Sequence, residues 1–189
     1  MFKHLIFLLF PFLCFSQSKD LHHNLFQSYD SFKENSLEIR RFKHGDIQPL
    51  LDSLKKEKGF QVTLLGQSIQ GRNISMVSIG KGDIDVLLWS QMHGDEPTAT
   101  AAMFDIFNYL KTDQRLLENL KVHFIPMLNP DGAASFSRRN AIGIDINRDA
   151  VALQSPESQI LKNTRDSLQA QFGFNLHDQS KYYNVKKSE

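Results

Sequence analysis

Cysteine is almost missing from this chain of 189 residues: Cys14 is the only one, and it lies in an N-terminal apolar run. Such a chain has no disulfide framework, and once that run is removed it offers a metal only nitrogen and oxygen. An excess of one charge is missing too. Lys and Arg number 22 against 21 Asp and Glu, a formal balance of +1. With no basic block interleaved with aromatics, nucleic acid is not an expected partner. The apolar run over residues 5–15 is 11 residues long, short of the roughly 20 that cross a bilayer as a helix, so no transmembrane segment is expected in the mature chain. There is no His-Glu-x-x-His pentad, which excludes the endopeptidases built on it. Internal repeats and low-complexity segments are lacking as well.

What is present begins with a compartment signal. Lys3 ahead of the apolar run reads as a secretory signal peptide over residues 1–16, with Cys14 and Ser16 at the −3 and −1 positions of a cut before Gln17. The expectation is an exported protein, secreted or periplasmic. Lipid attachment at Cys14 is the competing reading, disfavoured by the bulk of Phe12 and Leu13. Loss of the signal takes Lys3 with it and brings the formal balance to zero. Residues 17–45 form an N-terminal extension of mixed charge, with Glu38, Arg40, Arg41 and Lys43 on a solvated face and no function assigned. The remaining residues, 46–189, suit one soluble domain, since 41% of the chain is hydrophobic and 23% charged.

Along that domain, Asp46 reads as the N-cap of an amphipathic helix carrying Ile47, Leu50, Leu51 and Leu54, with Gly59 beyond its end. Strand-like runs follow at residues 61–65, 73–79 and 85–89, separated by glycine-containing turns. The third is nearly all apolar, as a central strand covered on both faces would be. Pro97 opens a helix over residues 97–110, residues 122–127 make another strand, and Ser155 with Pro156 starts a helix that Gly173 ends. Residues 174–176 make a short strand running into His177. The 20 residues from 128 to 147 show little periodicity, a length that marks function or disorder. This alternation predicts an α/β fold: a mixed, largely buried sheet with helices on both faces. Ligands of such sheets gather past the carboxyl ends of strands.

Polar chemistry falls there. The segment from Gln91 to Glu96 places His93 and Glu96 three apart at a strand-to-helix junction, and His177 follows another strand end. Two His, one Glu and an open fourth position make the ligand set of a catalytic zinc site. Taken singly, His-x-x-Glu is a common surface pair and His177 a common satisfied histidine. The long loop adds Asn129-Pro130-Asp131-Gly132, then Arg138-Arg139-Asn140, then Gly143-Ile144-Asp145-Ile146-Asn147-Arg148. In this order the blocks resemble the zinc metallocarboxypeptidases (carboxypeptidase A-like peptidases). Ser68-Ile69-Gln70-Gly71-Arg72 and Phe174-Asn175-Leu176-His177-Asp178-Gln179 extend the likeness over residues 62–179.

The resemblance implies one zinc ion bound by His93, Glu96 and His177. It implies that Asn147 and Arg148 hold the free C-terminal carboxylate of a peptide substrate, and that Arg138 polarises the scissile carbonyl. A guanidinium fork suits a carboxylate, and a second one near the metal suits an oxyanion. Arg139 competes for the role of Arg138, with the spacing to Gly143 favouring Arg138. Asp131, Asp145 and Asp178 are expected to brace the loop or orient ligand histidines. His22, His23, His44 and His123 stay outside the site, and Tyr182 with Tyr183 packs or lines a cleft.

Residues 46–189 thus read as a carboxypeptidase-like catalytic domain incomplete at its C-terminus. The family's general base and a substrate-covering tyrosine lie downstream of the third ligand, and Glu189 comes too soon after His177 to be that base. General-base help is worth about 10² to 10⁴ in rate, so the chain as written is expected to be weak or inactive. Two further readings stand beside the exopeptidase: an N-acyl amino acid deacylase with a similar ligand trio, and a zinc- or peptide-binding remnant without catalysis. Nothing in the chain speaks to oligomeric state.

Overall fold

A computed structural model describes residues 16–178. The apolar run of residues 5–15 with Cys14, and the downstream Tyr182, Tyr183 and Glu189, lie outside the described residues. The chain divides into two compact units, residues 1–33 and 34–189. In the first unit, helix α1 (Ser16–Phe32) occupies a stretch given no element above. Its weak patterning left it out of sight in the sequence, since a helix without a continuous apolar stripe has no period to read.

The second unit begins at Glu34, and Leu37 and Phe42 belong to its core. Helix α2 (His44–Leu54) starts earlier than expected, with Lys43 at its N-cap. Asp46 is therefore not the cap. It sits in the first turn, and its carboxylate accepts from the Lys43 amide at 2.6 Å, the returning half of a capping box. Ile47, Leu51 and Leu54 form the buried face.

Five strands follow in chain order: β1 (Phe60–Gln67), β2 (Asn73–Gly80), β3 (Ile84–Trp89), β4 (Leu120–Ile125) and β5 (Phe172–Asn175). They line up as β1-β2-β4-β3-β5, with β1, β2 and β4 antiparallel in turn and β3 parallel to both β4 and β5. The sheet is mixed, as expected. Its central strand, however, is β4, whose Val122 to Ile125 are all buried, while in β3 only Leu87 is fully so. The apolar run of β3 was legible and its place in the sheet was not, because its outer neighbour β5 has only four residues to cover it.

Alternation along the strands separates two cores. Val77, Ile79, Val122 and Phe124 pack with α2 and with Met103, Phe104, Phe107 and Leu110 of α3 (Thr98–Thr112). Ile74, Met76, Leu87 and Ile125 pack on the opposite face with Leu161 of α5 (Pro156–Leu168). The two cores put helices on both faces of the sheet. Ser155 caps α5 as expected, but the helix ends at Gln169 in a left-handed conformation, and Gly173 belongs to β5. The long loop holds a further short helix, α4 (Pro130–Ser135), capped by the Asn129 side chain, which accepts from the Gly132 amide at 2.8 Å. Six residues are too few to show a helical period in sequence. Because β3, β4 and β5 are parallel, their carboxyl ends share one edge of the sheet.

Candidate metal centre

At that edge β3 delivers the turn bearing His93 and Glu96, and the adjacent β5 delivers His177. The structure brings the three together: one ligand atom from each lies within 4.8 Å of the others. Among the described residues, both imidazoles present the same nitrogen to one carboxylate. His93 Nδ1 is 2.8 Å from Glu96 Oε1, and His177 Nδ1 is 2.6 Å from Glu96 Oε2. His93 is buried, Glu96 half-buried and His177 exposed, so the cluster opens to solvent on the β5 side. Burial pushes the Glu96 carboxyl up, but hydrogen bonds with His93 and His177 outweigh it and hold the group below its ordinary value.

Asp145 supports this group from behind. Its Oδ1 accepts from His93 Nε2 at 3.1 Å, and its Oδ2 from Arg138 Nε at 3.1 Å. Burial raises this carboxyl too, and the contacts with His93 and Arg138 bring it below the usual range. Each ring nitrogen of His93 thus faces a carboxylate, Nε2 toward Asp145 and Nδ1 toward Glu96, and since a carboxylate only accepts, each contact takes a proton or a cation on the nitrogen side.

The adjacent arginines part company. Arg138 Nη1 lies 3.1 Å from His93 Nδ1 and 3.7 Å from Glu96 Oε1, facing the cluster. Arg139 turns away and donates to the Gly143 carbonyl at 2.8 Å. Asn147 and Arg148 lie together on the 3-10 turn Ile146–Arg148, each beside a cavity. Asn147 borders one of about 110 Å³ with Trp89, Ile146 and Asn175; Trp89 Nε1 and Asn175 Oδ1 are themselves buried without a hydrogen-bond partner. Arg148 borders one of about 380 Å³ with Arg139, Asp145 and Gln154.

Asp131 braces the loop: it is buried and accepts from Ser68 Oγ at 2.8 Å, the Gln70 amide at 3.0 Å and Arg72 Nη1 at 2.5 Å. Asp178 accepts from the amide and hydroxyl of Thr98 at the start of α3, at 3.1 and 2.8 Å. His123 is buried between Ser78 Oγ and Asp85 Oδ1, each at 2.8 Å, away from the cluster. Sequence reasoning passed over Gln91 and Asn129 as individual residues, although both are fully buried beneath the His93 turn. Asn129 was visible only as a letter in a motif, and Gln91 carries no local signal.

Comparison with known proteins places residues 47–184 on a family model described as zinc carboxypeptidase. Carboxypeptidase SOL1 of Arabidopsis thaliana is 29% identical over 131 residues, covering 60% of this chain and 27% of that protein. Human carboxypeptidase D is 25% identical over 155 residues, covering 70% of this chain and 10% of its own. Among solved structures, a metallo-carboxypeptidase from Burkholderia cenocepacia superposes with a TM-score of 0.67 at 20% identity, over 73% of this chain and 41% of that one. One from Pseudomonas aeruginosa, in complex with (2-guanidinoethylmercapto)succinic acid, gives 0.65 at 22%, over 73% and 40%. The chain therefore spans well under half the length of these relatives.

Proposed function

The chain belongs to the zinc carboxypeptidase family, and from that premise we propose that it is an exported zinc-dependent exopeptidase acting on the peptide bond next to a free C-terminal carboxylate. Its zinc ligands are His93 through Nδ1, Glu96 through its carboxylate and His177 through Nδ1. The donor set fits the ion. It is two nitrogens and one carboxylate with no sulfur, it leaves a fourth position, and the ligand atoms already lie within 4.8 Å of one another. The observation that carries the reading is the convergence of two imidazoles on one carboxylate, Nδ1 of His93 at 2.8 Å and Nδ1 of His177 at 2.6 Å from Glu96, while Asp145 faces the other nitrogen of His93. When bound, zinc supplies Lewis acidity toward the scissile carbonyl and toward water.

The chain's own residues supply the rest. Asp145 holds the Nε2 proton of His93, and so sets which nitrogen faces the ion. Arg138, exposed and within 3.7 Å of Glu96, donates to the carbonyl oxygen as charge develops on it. Asn147 and Arg148, neighbours on the 3-10 turn Ile146–Arg148, bind the substrate's terminal carboxylate, which a guanidinium and an amide recognise by charge and hydrogen bonding.

Zinc content tests the reading. Purified chain should hold one equivalent, and His93→Ala should hold none; unchanged metal in the variant would overturn the ligand assignment. Binding of a short peptide with a free C-terminus should exceed that of the same peptide amidated, and equal binding would overturn the substrate assignment.

A further inference from the structure

The turn that carries His93 and Glu96 is pinned along its whole length. From residue 90 to residue 94 every backbone carbonyl has its own donor. Ser90 O accepts from the Leu128 amide at 3.1 Å, Gln91 O from the Asn129 amide at 3.0 Å, and His93 O from the Glu96 amide at 3.1 Å. Met92 O accepts from Asn129 Nδ2 at 3.2 Å, and Gly94 O from Gln91 Nε2 at 3.0 Å. Gln91 closes the series: its Oε1 accepts from Thr100 Oγ1 at 2.9 Å, inside the first turns of α3. One side chain therefore ties the carbonyl just after His93 to the helix just after Glu96. Gln91 and Thr100 are no more than 1% exposed, so water does not compete for these bonds.

The backbone of Gln91 is left-handed, with φ of 49°. L residues other than glycine enter that region rarely, and when they do the surrounding contacts must over-determine them; such strain gathers at functional sites. Glycine would make the same turn without strain. What glycine lacks is the amide joining Gly94 to Thr100.

We propose that Gln91 is the positioning residue of the metal turn, holding His93 and Glu96 at the separation the ion requires. This rests on the zinc reading above. Gln91 touches neither ion nor substrate and acts through its two neighbours. Partners that orient metal ligands in this way are worth about 10- to 100-fold in metal affinity.

The test compares the full chain with Gln91→Gly, which relieves the strain but removes the clamp, and with the isosteric Gln91→Glu, which turns a carboxylate oxygen on the Gly94 carbonyl. The measurements are zinc dissociation constants by competition with a chromophoric chelator, the visible absorption of the cobalt-loaded protein, and thermal unfolding of the metal-free form. The expected result is that Gln91→Gly, less stable by the buried partners it leaves unpaired, still folds yet binds zinc about 10- to 100-fold more weakly, with altered cobalt bands, and that Gln91→Glu shows the same affinity loss. Zinc affinity and cobalt bands matching the parent in a folded Gln91→Gly chain would overturn the proposal. Should Gln91→Gly fail to fold, Thr100→Val, which removes the donor to Oε1 along with the hydroxyl's contacts to Ser90 Oγ and the Pro126 carbonyl, must show a smaller loss in the same direction, and parental affinity there would overturn it. A parent chain that takes up no zinc would instead bring down the metal reading itself.

Discussion

Gly94 and Gly132 meet backbone to backbone: a Cβ on Gly94 would lie 1.9 Å from the Gly132 carbonyl carbon and 2.2 Å from the Ala133 nitrogen. One on Gly132 would lie 2.5 Å from Asn129 Nδ2 and 2.8 Å from the Arg139 carbonyl oxygen. The turn that carries His93 and Glu96 is thereby seated directly on α4. The two glycines in His93-Gly94-Asp95-Glu96 and Asn129-Pro130-Asp131-Gly132 serve one contact between segments that sequence inspection treats as separate.

Gly94→Ala should therefore destabilise the fold by about 3 kcal/mol or more, since the clash is with main chain rather than with a movable side chain. Gly45→Ala, at a helical position with nothing within 4 Å, should stabilise by up to about 1 kcal/mol. Urea unfolding of the metal-free protein distinguishes the two, and similar midpoints for both variants would contradict the packing argument.

Asp145→Asn keeps an acceptor for His93 Nε2 but removes the charge that binds Arg138. Zinc affinity should fall about 10-fold with the fold intact. Chelator competition measures the affinity, and circular dichroism checks the fold.

Acid should weaken the start of α5 through Asp149. Burial pushes this carboxyl up, yet hydrogen bonds from the Gln154 and Ser155 amides and the Ser155 hydroxyl prevail and hold it below the ordinary carboxylate value. For a depressed group, the stabilisation is complete above the unfolded pKa, about 3.9, and is lost as pH falls through the lower folded value. Asp149→Asn should cost about 1 to 3 kcal/mol at pH 7, and the gap from the parent should close below about pH 4. Urea unfolding across that range gives the answer, and a gap that stays constant would exclude Asp149 as the source.

Phe172 and Phe174 are 55% and 48% exposed on β5, which among the described residues pairs only with β3. Apolar edge strands invite pairing with other chains. Replacing both phenylalanines by lysine should raise the concentration at which light scattering detects association, and no change would place the sticky surface elsewhere.

Much of this architecture was legible in the residues. The strands announced themselves through apolar runs between glycines, and α5 through Ser155 and Pro156, because those signals are local. The convergence of His93, Glu96 and His177 was legible because they lie at strand ends, which parallel pairing must gather at one edge. Sheet order was not legible, since β3 and β4 have similar composition and it is the long-range pairing of β2 with β4 rather than with β3 that makes β4 central. Left-handed backbone at Gln91 was invisible for another reason: glutamine at such a position is an exception held by tertiary bonds, and no local pattern encodes it.

Glu96 and His177 are 81 positions apart, and the second arrives only because β5 docks beside β3 in register, Val86 opposite Phe172 through Trp89 opposite Asn175. An ion shared by both would act as a latch on the shortest strand of the sheet. It would fasten a long excursion of chain whose closure the polypeptide otherwise bears unaided, and its release would be felt first where β5 peels from its neighbour.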